Sequence, residues 1–165
     1  MSGSFDFASV GRFTVGALGE PGQRVFFLQA FAEGTEVAVK CEKQQAQALA
    51  EHLVRLLPEV PGGDPGPQPP AEALPPSELL WVVGSISLGI DVDAGAAVVI
   101  LEEFVDPGEG DDPLREPAEL RVRLTPAQAR ALVSQVEALV ASGRPLCRLC
   151  EQPIDPAGHA CPRLN

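Results

Sequence analysis

The stretch Val39–Leu57, VKCEKQQAQALAEHLVRLL, decides the fold because its pattern occurs twice in the chain. Val122–Val140, VRLTPAQARALVSQVEALV, aligns with it without a gap at an offset of 83 residues. In both segments, the end of a strand is followed by apolar residues three or four positions apart, which is the pattern of an amphipathic helix. Shared periodicity explains only part of the match, so we predict an internal repeat. The identical pairs are Val39/Val122, Gln45/Gln128, Ala46/Ala129, Ala48/Ala131, Leu49/Leu132 and Leu56/Leu139.

Three strand-like segments precede each helix. They are rich in aromatic and β-branched residues, and Gly- and Pro-containing turns or loops separate them. Before the first helix they are residues 12–16, 24–31 and 36–41, and before the second they are 79–92, 96–102 and 119–124. The sequence therefore predicts an α+β fold of duplicated β-β-β-α halves. Their strands would form one antiparallel sheet or a pseudo-twofold pair of sheets, with both helices packed on them.

A proline-rich segment separates the two halves. Residues 58–77 hold eight of the 17 prolines, too many for a sheet or a packed helix. We expect a solvated, semi-stiff linker of polyproline type; a ligand for a proline-recognition domain is the alternative. The predicted divisions are a first half at 1–57, this linker at 58–77, a second half at 78–143 and a tail at 144–165.

The tail holds three of the four cysteines in the chain. Cys147 and Cys150 form a C-x2-C pair, and His159 and Cys161 follow after eight further residues. Four such ligands at this spacing indicate a tetrahedral Cys3His zinc site. Because all four positions would be filled by protein, the predicted Zn²⁺ is structural rather than catalytic. A redox-active Cys147–Cys150 pair and free thiols in an unstructured tail are the alternatives.

Composition excludes several classes of protein. The net charge is −11, with 23 acidic residues against 12 Lys and Arg, which argues against a nucleic-acid partner. No apolar run approaches the roughly 20 residues of a membrane helix, so no membrane association is expected. The residues Met1–Asp6 lack the pattern of a signal peptide, so we expect a cytoplasmic protein. The remaining cysteine, Cys41, takes a leucine position of the repeat and is expected in the core.

Three motifs resemble one known family. RFTVGALGEPGQRVFFLQA at 12–30, VKCEKQQAQALAEHL at 39–53 and CRLCEQPIDPAGHACPRLN at 147–165 are similar to an actinobacterial family of uncharacterised "repeat proteins" that includes the ParA-interacting protein ParJ. The resemblance implies a protein that binds other proteins, with a ParA-type ATPase as the partner. The matching positions are Gly19, Pro21, Gly22, Gln23, Arg24, Glu42, Lys43, Gln44, Gln45, Cys147, Cys150, His159 and Cys161.

The sequence is compatible with two functions. The first is a non-enzymatic interaction or regulatory protein that uses the zinc tail, with Arg148 and Arg163, or the turn that carries Gln23 and Arg24, as its contact surface. The second is an enzyme or small-molecule binder. It would have a pocket between the halves, lined by Gln23, Arg24, Lys43 and Gln44. The sequence leaves a homo-oligomer open and offers no catalytic residue.

Overall fold

The computed structural model describes residues 3–108, 112, 114–143, 147–151, 154 and 158–164. It contains seven strands and two α-helices within these residues. The strands are β1 (Phe5–Phe7), β2 (Arg12–Leu18), β3 (Val25–Ala32), β4 (Thr35–Cys41), β5 (Val83–Asp91), β6 (Ala96–Glu103) and β7 (Glu119–Leu124). The helices are α1 (Lys43–Leu56) and α2 (Pro126–Ala141), and short 3-10 turns lie at Leu57–Glu59 and Pro162–Leu164. The α+β class is confirmed.

Two sheets carry the helices. β2, β3 and β4 form an antiparallel meander in chain order, and β5, β6 and β7 form a second one. Each meander leads directly into a helix, which gives the element order β-β-β-α twice. We call β2 to α1 the first half and β5 to α2 the second half. The sequence predicted this order because alternation and helical periodicity are both local signals.

The halves exchange short extended segments. β1, which precedes the first half, pairs in parallel with β7 of the second half. In return, the segment that precedes β5 lies in parallel along β4: Leu80 N–H donates to the Ala38 carbonyl and Lys40 N–H to the Trp81 carbonyl, each at 2.9 Å. The segment that precedes each half therefore pairs with the last strand of the other half.

The apolar faces of both sheets and both helices meet in one core. Its fully buried members include Val15 and Leu28 of the first sheet, Leu101 and Leu120 of the second, and Leu53 of α1. Truncating one of these leucines to Ala would cost about 2–5 kcal/mol. Cys41 is 2% exposed and lies in this core, as its place in the repeat predicts. Burial raises the pKa of its thiol to about 12, so it stays protonated and unreactive.

The proline-rich segment joins the two halves, but it is bonded to the surface that it crosses, which its composition did not predict. Gln29 is fully buried in the middle of β3, and its side-chain amide bonds to both backbone groups of Leu74. Thr14 of β2, also fully buried, donates its hydroxyl to the Ala71 carbonyl. Polar side chains on the outer face of the first sheet thus bind the backbone of the segment. We call residues 64–77 the strap.

The strap is also tied to α2. Arg130 forms an ion pair with Asp64, and Ser134 Oγ donates to the Gln68 carbonyl at 2.6 Å. Ala71 N–H donates to the Ala131 carbonyl of α2 at 3.3 Å. The Arg130 guanidinium lowers the pKa of Asp64 to about 2, mainly through their hydrogen bond. The prolines keep the strap extended, while backbone groups of Gln68, Ala71 and Leu74 bond to the elements that it crosses.

Candidate metal centre

The C-x2-C pair lies on a tight turn beyond the end of α2. Glu151 N–H donates to the Cys147 carbonyl at 2.9 Å, and Glu151 has a left-handed φ of 59°. The backbone N–H groups of Cys150 and Leu149 point at the Cys147 sulfur and lower the pKa of that thiol to about 6. Donors that stabilise a thiolate prepare the form of cysteine that binds a metal ion.

All four predicted ligands converge. One ligand atom each from Cys147, Cys150, His159 and Cys161 lies within 4.8 Å of the others. The Sγ atoms of Cys147 and Cys161 are 3.8 Å apart, and Cys150 Sγ lies 3.1 Å from His159 Nε2. A zinc ion with Zn–S bonds of about 2.3 Å places two sulfurs about 3.8 Å apart on a tetrahedron. The donor set and the sulfur spacing therefore fit a zinc-sized ion.

The geometry does not resemble a disulfide. None of the four cysteines is in a disulfide, and a Cys147–Cys161 separation of 3.8 Å far exceeds the roughly 2.05 Å of an S–S bond. Cys161 is 5% exposed and anchors the cluster on its inner side, whereas Cys147, Cys150 and His159 are half-buried. The cluster lies near the surface, where an ion could enter without unfolding the core.

Exposed side chains surround the ligands. Arg148 and Leu149 lie on the turn between Cys147 and Cys150, and Arg163 follows Cys161 by two residues; all three are exposed. The 47% exposure of Leu149 is high for a leucine beside a compact cluster. Leu149 was not among the predicted contact residues, although its position between the two ligands of the C-x2-C motif was the available signal.

Arg24 links the first half to the end of α2, where the tail begins. Its guanidinium donates to the Leu139 carbonyl at 3.0 Å and to Ser142 Oγ at 3.2 Å. It also lies over the Phe26 ring, 5.1 Å from the ring centroid. A cation at the C-terminus of a helix satisfies carbonyls that lack a partner within the helix and interacts favourably with the helix dipole.

The other predicted contact residues are distributed over the surface. Arg24 and Lys43 both line a concavity of about 460 Å³ between the first half and the end of α2, together with Gly143. A Cβ placed on Gly143 would lie 3.1 Å from the Arg24 guanidinium and 3.9 Å from Lys43 Nζ, so the two cations share this end of the concavity. Gln23 and Gln44 are exposed and do not line it.

The buried polar residues that hold the strap were not predicted from the sequence. Gln29 and Thr14 are the buried polar residues that hold the strap. The available signal was the single Gln within the apolar strand VFFLQAFA, because a buried amide needs hydrogen-bond partners.

The fold and the cluster define a class: an α+β protein with a Cys3His group of the kind that holds a structural metal ion. A family model described as "Protein of unknown function (DUF3090)" matches residues 5–161, and the chain belongs to this family. No curated protein and no solved structure matches the chain. Among the described residues, no helix has the length and apolar character needed to cross a membrane.

Proposed function

We propose that this protein is a non-enzymatic interaction protein whose tail is ordered by one structural Zn²⁺. The observation that carries the proposal is the convergence of Cys147, Cys150, His159 and Cys161 within 4.8 Å. Thiolate and imidazole ligands suit zinc, and four protein ligands leave no position for a catalytic water. Metal binding would then supply most of the free energy that orders the tail.

The contact surface in this proposal is the exterior of the metal centre. Arg148 and Arg163 provide positive charge on a chain whose net charge is −11, and Leu149 adds an exposed apolar group between them in the chain. An exposed combination of arginine and apolar side chains is typical of protein interfaces. The motif resemblance makes a ParA-type ATPase in the cytoplasm the first partner to test.

Two measurements on purified protein test the proposal. Metal analysis should give about one zinc per chain, and Cys150→Ser should lower this ratio while Cys41→Ala leaves it unchanged. Binding of a purified ParA-type ATPase, followed by biolayer interferometry, should be lost in Cys150→Ser and in Arg148→Glu but retained in Cys41→Ala. A metal-free, fully thiol-reactive tail would refute the zinc centre. Binding that survives both substitutions would refute the contact surface.

A second candidate function uses the concavity of about 460 Å³ that Arg24 and Lys43 line. Neither cation forms an ion pair with a carboxylate among the described residues. Glu42 and Lys40 also line the concavity, so a small anionic ligand would meet three cations and one carboxylate, without displacing a salt bridge of Arg24 or Lys43. Raised thermal stability in millimolar inorganic phosphate, lost in Lys43→Ala but kept in Gln44→Ala, would support this function; no shift would remove it.

We also propose that the two halves arose by duplication. Three matches support this: the order β-β-β-α, the reciprocal exchange of short segments, and a shared role for aligned glutamines. Gln45 accepts from Glu42 N–H at the start of α1 and donates to the Val83 carbonyl of the second half. Gln128 accepts from Thr125 N–H at the start of α2 and donates to the Val10 carbonyl before β2.

A further inference from the structure

An open groove lies between α1 and β5. Its volume is about 580 Å³, its floor is apolar and its rim is polar. Ile86 and Leu88 are only half-buried here, although their cross-strand partners Leu101 and Val99 on β6 are fully buried. The groove is lined by Gln45, Ala48, Leu49, His52, Arg55, Leu56, Glu59, Gly84, Ile86 and Leu88.

The corresponding place in the other half, between α2 and β2, is covered by the strap. There the strap bonds to α2 through the Ala131 carbonyl and Ser134 Oγ, and to β2 through Thr14 and Arg12. The middle of the strap, residues 68–74, is therefore an extended segment laid across a helix and the neighbouring edge strand.

The two places correspond over about half of the groove lining. At the offset of the repeat, groove residues of α1 align with α2 residues that line the small hollows beside the strap. Ala48 and His52 are exposed, whereas their counterparts beneath the strap, Ala131 and Gln135, are half-buried. The pairs at this offset are Gln45/Gln128, Ala48/Ala131, His52/Gln135 and Leu56/Leu139. On the strands, Gly84 and Gly16 end the similar stretches Trp81–Gly84 and Phe13–Gly16, at a different offset.

β5 offers an edge that a further chain can pair with. It is the last strand of its sheet, and within the described part of the chain no strand pairs with its outer side. Its sequence VGSISLGID has no proline, and Asp91 at its end is the first charge. Edge strands usually carry charges or prolines that prevent pairing with another chain. The Gln45 side chain occupies only the Val83 carbonyl at one end.

We infer that the groove between α1 and β5 binds an extended, proline- and alanine-containing segment of a partner protein. The molecule covers the equivalent surface with a segment of this type from its own chain, which identifies the shape and chemistry of the occupant. The strap of a second copy is not available, because Gln29 and Arg130 of that copy hold it in its own place. The segment lies between α1 and β5 as the strap lies between α2 and β2; backbone groups of its non-proline residues can bond to the open edge of β5, and its side chains fill the apolar floor.

A matched pair of variants tests this inference. Ala48→Arg places a long side chain in the groove from an exposed position, and Gln44→Arg makes the same change of charge on α1 outside the groove. The probe is a phage-displayed library of 12-residue peptides selected on the purified, metal-loaded wild-type chain. We expect enriched extended peptides that bind Ala48→Arg about tenfold or more weakly and Gln44→Arg as tightly as wild type.

Other outcomes overturn the inference. Enriched peptides that bind both variants equally would place the site elsewhere, and a selection without enrichment would mean that no extended segment binds. Sedimentation that shows a wild-type dimer, abolished by Ala48→Arg, would assign the groove to a second copy. The groove shares no residue with the metal centre, so loss of partner binding through the tail leaves this result unaffected.

Discussion

The Gln29 side chain and the Leu74 backbone form a two-point hydrogen bond across 45 positions of the chain. Leu74 N–H donates to Gln29 Oε1, and Gln29 Nε2 donates to the Leu74 carbonyl, each at 3.0 Å. Gln29 is fully buried, whereas the Leu74 side chain is 51% exposed. At Leu74 the strap is therefore held by its backbone rather than by its side chain, which points outward.

We predict that Gln29→Leu destabilises the protein by about 1–3 kcal/mol, because two backbone groups of the strap lose their partners while the shape of β3 is kept. Urea unfolding gives the free energy, and hydrogen exchange at Leu74 N–H should become faster. Gln23→Leu, an exposed turn position, is the control and should change stability little. A Gln29→Leu protein as stable as wild type, with a protected Leu74 amide, would contradict this role of the amide.

The ion pair between Asp64 and Arg130 should make attachment of the strap sensitive to acid. The pKa of Asp64 is lowered to about 2 in the folded protein by its hydrogen bond to Arg130, against about 3.9 for an unperturbed Asp. A lowered pKa contributes stability above the unfolded value, and this contribution is lost as pH falls from about 4 toward 2. In melting curves, the difference between wild type and Asp64→Asn should be largest above pH 4 and shrink below it. A difference that does not depend on pH would refute the ion pair.

Local patterns and long-range contacts differ in how far the sequence reveals them. The meanders, the helices and the convergence of the Cys and His ligands were predictable. The alternation of apolar and polar residues in strands, the helical period and the spacing of metal ligands are all patterns of residues close together in the sequence. The strap was not, because its extended shape is set by prolines but its place is set by Gln29 and Arg130, 45 and 66 positions from their partners. The pairing of Leu80 with Ala38 was missed for the same reason.

Zinc binding should depend on pH through the Cys147 thiol. Protons and zinc compete for the same sulfur, and backbone N–H groups lower the pKa of this thiol to about 6. Well above pH 6 the thiolate predominates, so Cys147 adds little proton competition there. Below pH 6 each further unit should weaken the apparent affinity by about another factor of ten through this ligand. Competition with a chromophoric chelator between pH 5 and 8 measures the slope, and an unchanged slope across pH 6 would contradict the prediction.

Removing the Arg24 guanidinium should destabilise the end of α2. Arg24→Ala loses the hydrogen bonds to Leu139 and Ser142 and the cation at the helix C-terminus, which together amount to about 1–2 kcal/mol. Arg24→Lys keeps the charge and should recover part of the loss. Urea unfolding measures both variants, and helical amides near Leu139 should exchange faster in Arg24→Ala alone. Equal stability of all three proteins would show that the contact is not stabilising.

Gln45 and Gln128 should contribute alike to stability. Each side-chain amide accepts a hydrogen bond from the backbone at the start of its own helix and donates one to a carbonyl near the start of the other half. We expect Gln45→Ala and Gln128→Ala each to cost about 1–2 kcal/mol in urea unfolding, the scale of a lost helix cap with one further hydrogen bond. Gln44→Ala, exposed and one position from Gln45, should change stability by less than about 0.5 kcal/mol. The double variant should be destabilised by roughly the sum if the two contacts act separately. A large cost at one glutamine and none at the other would mean that only one of the aligned contacts holds the halves together, and the pseudo-twofold account of the interface would fail.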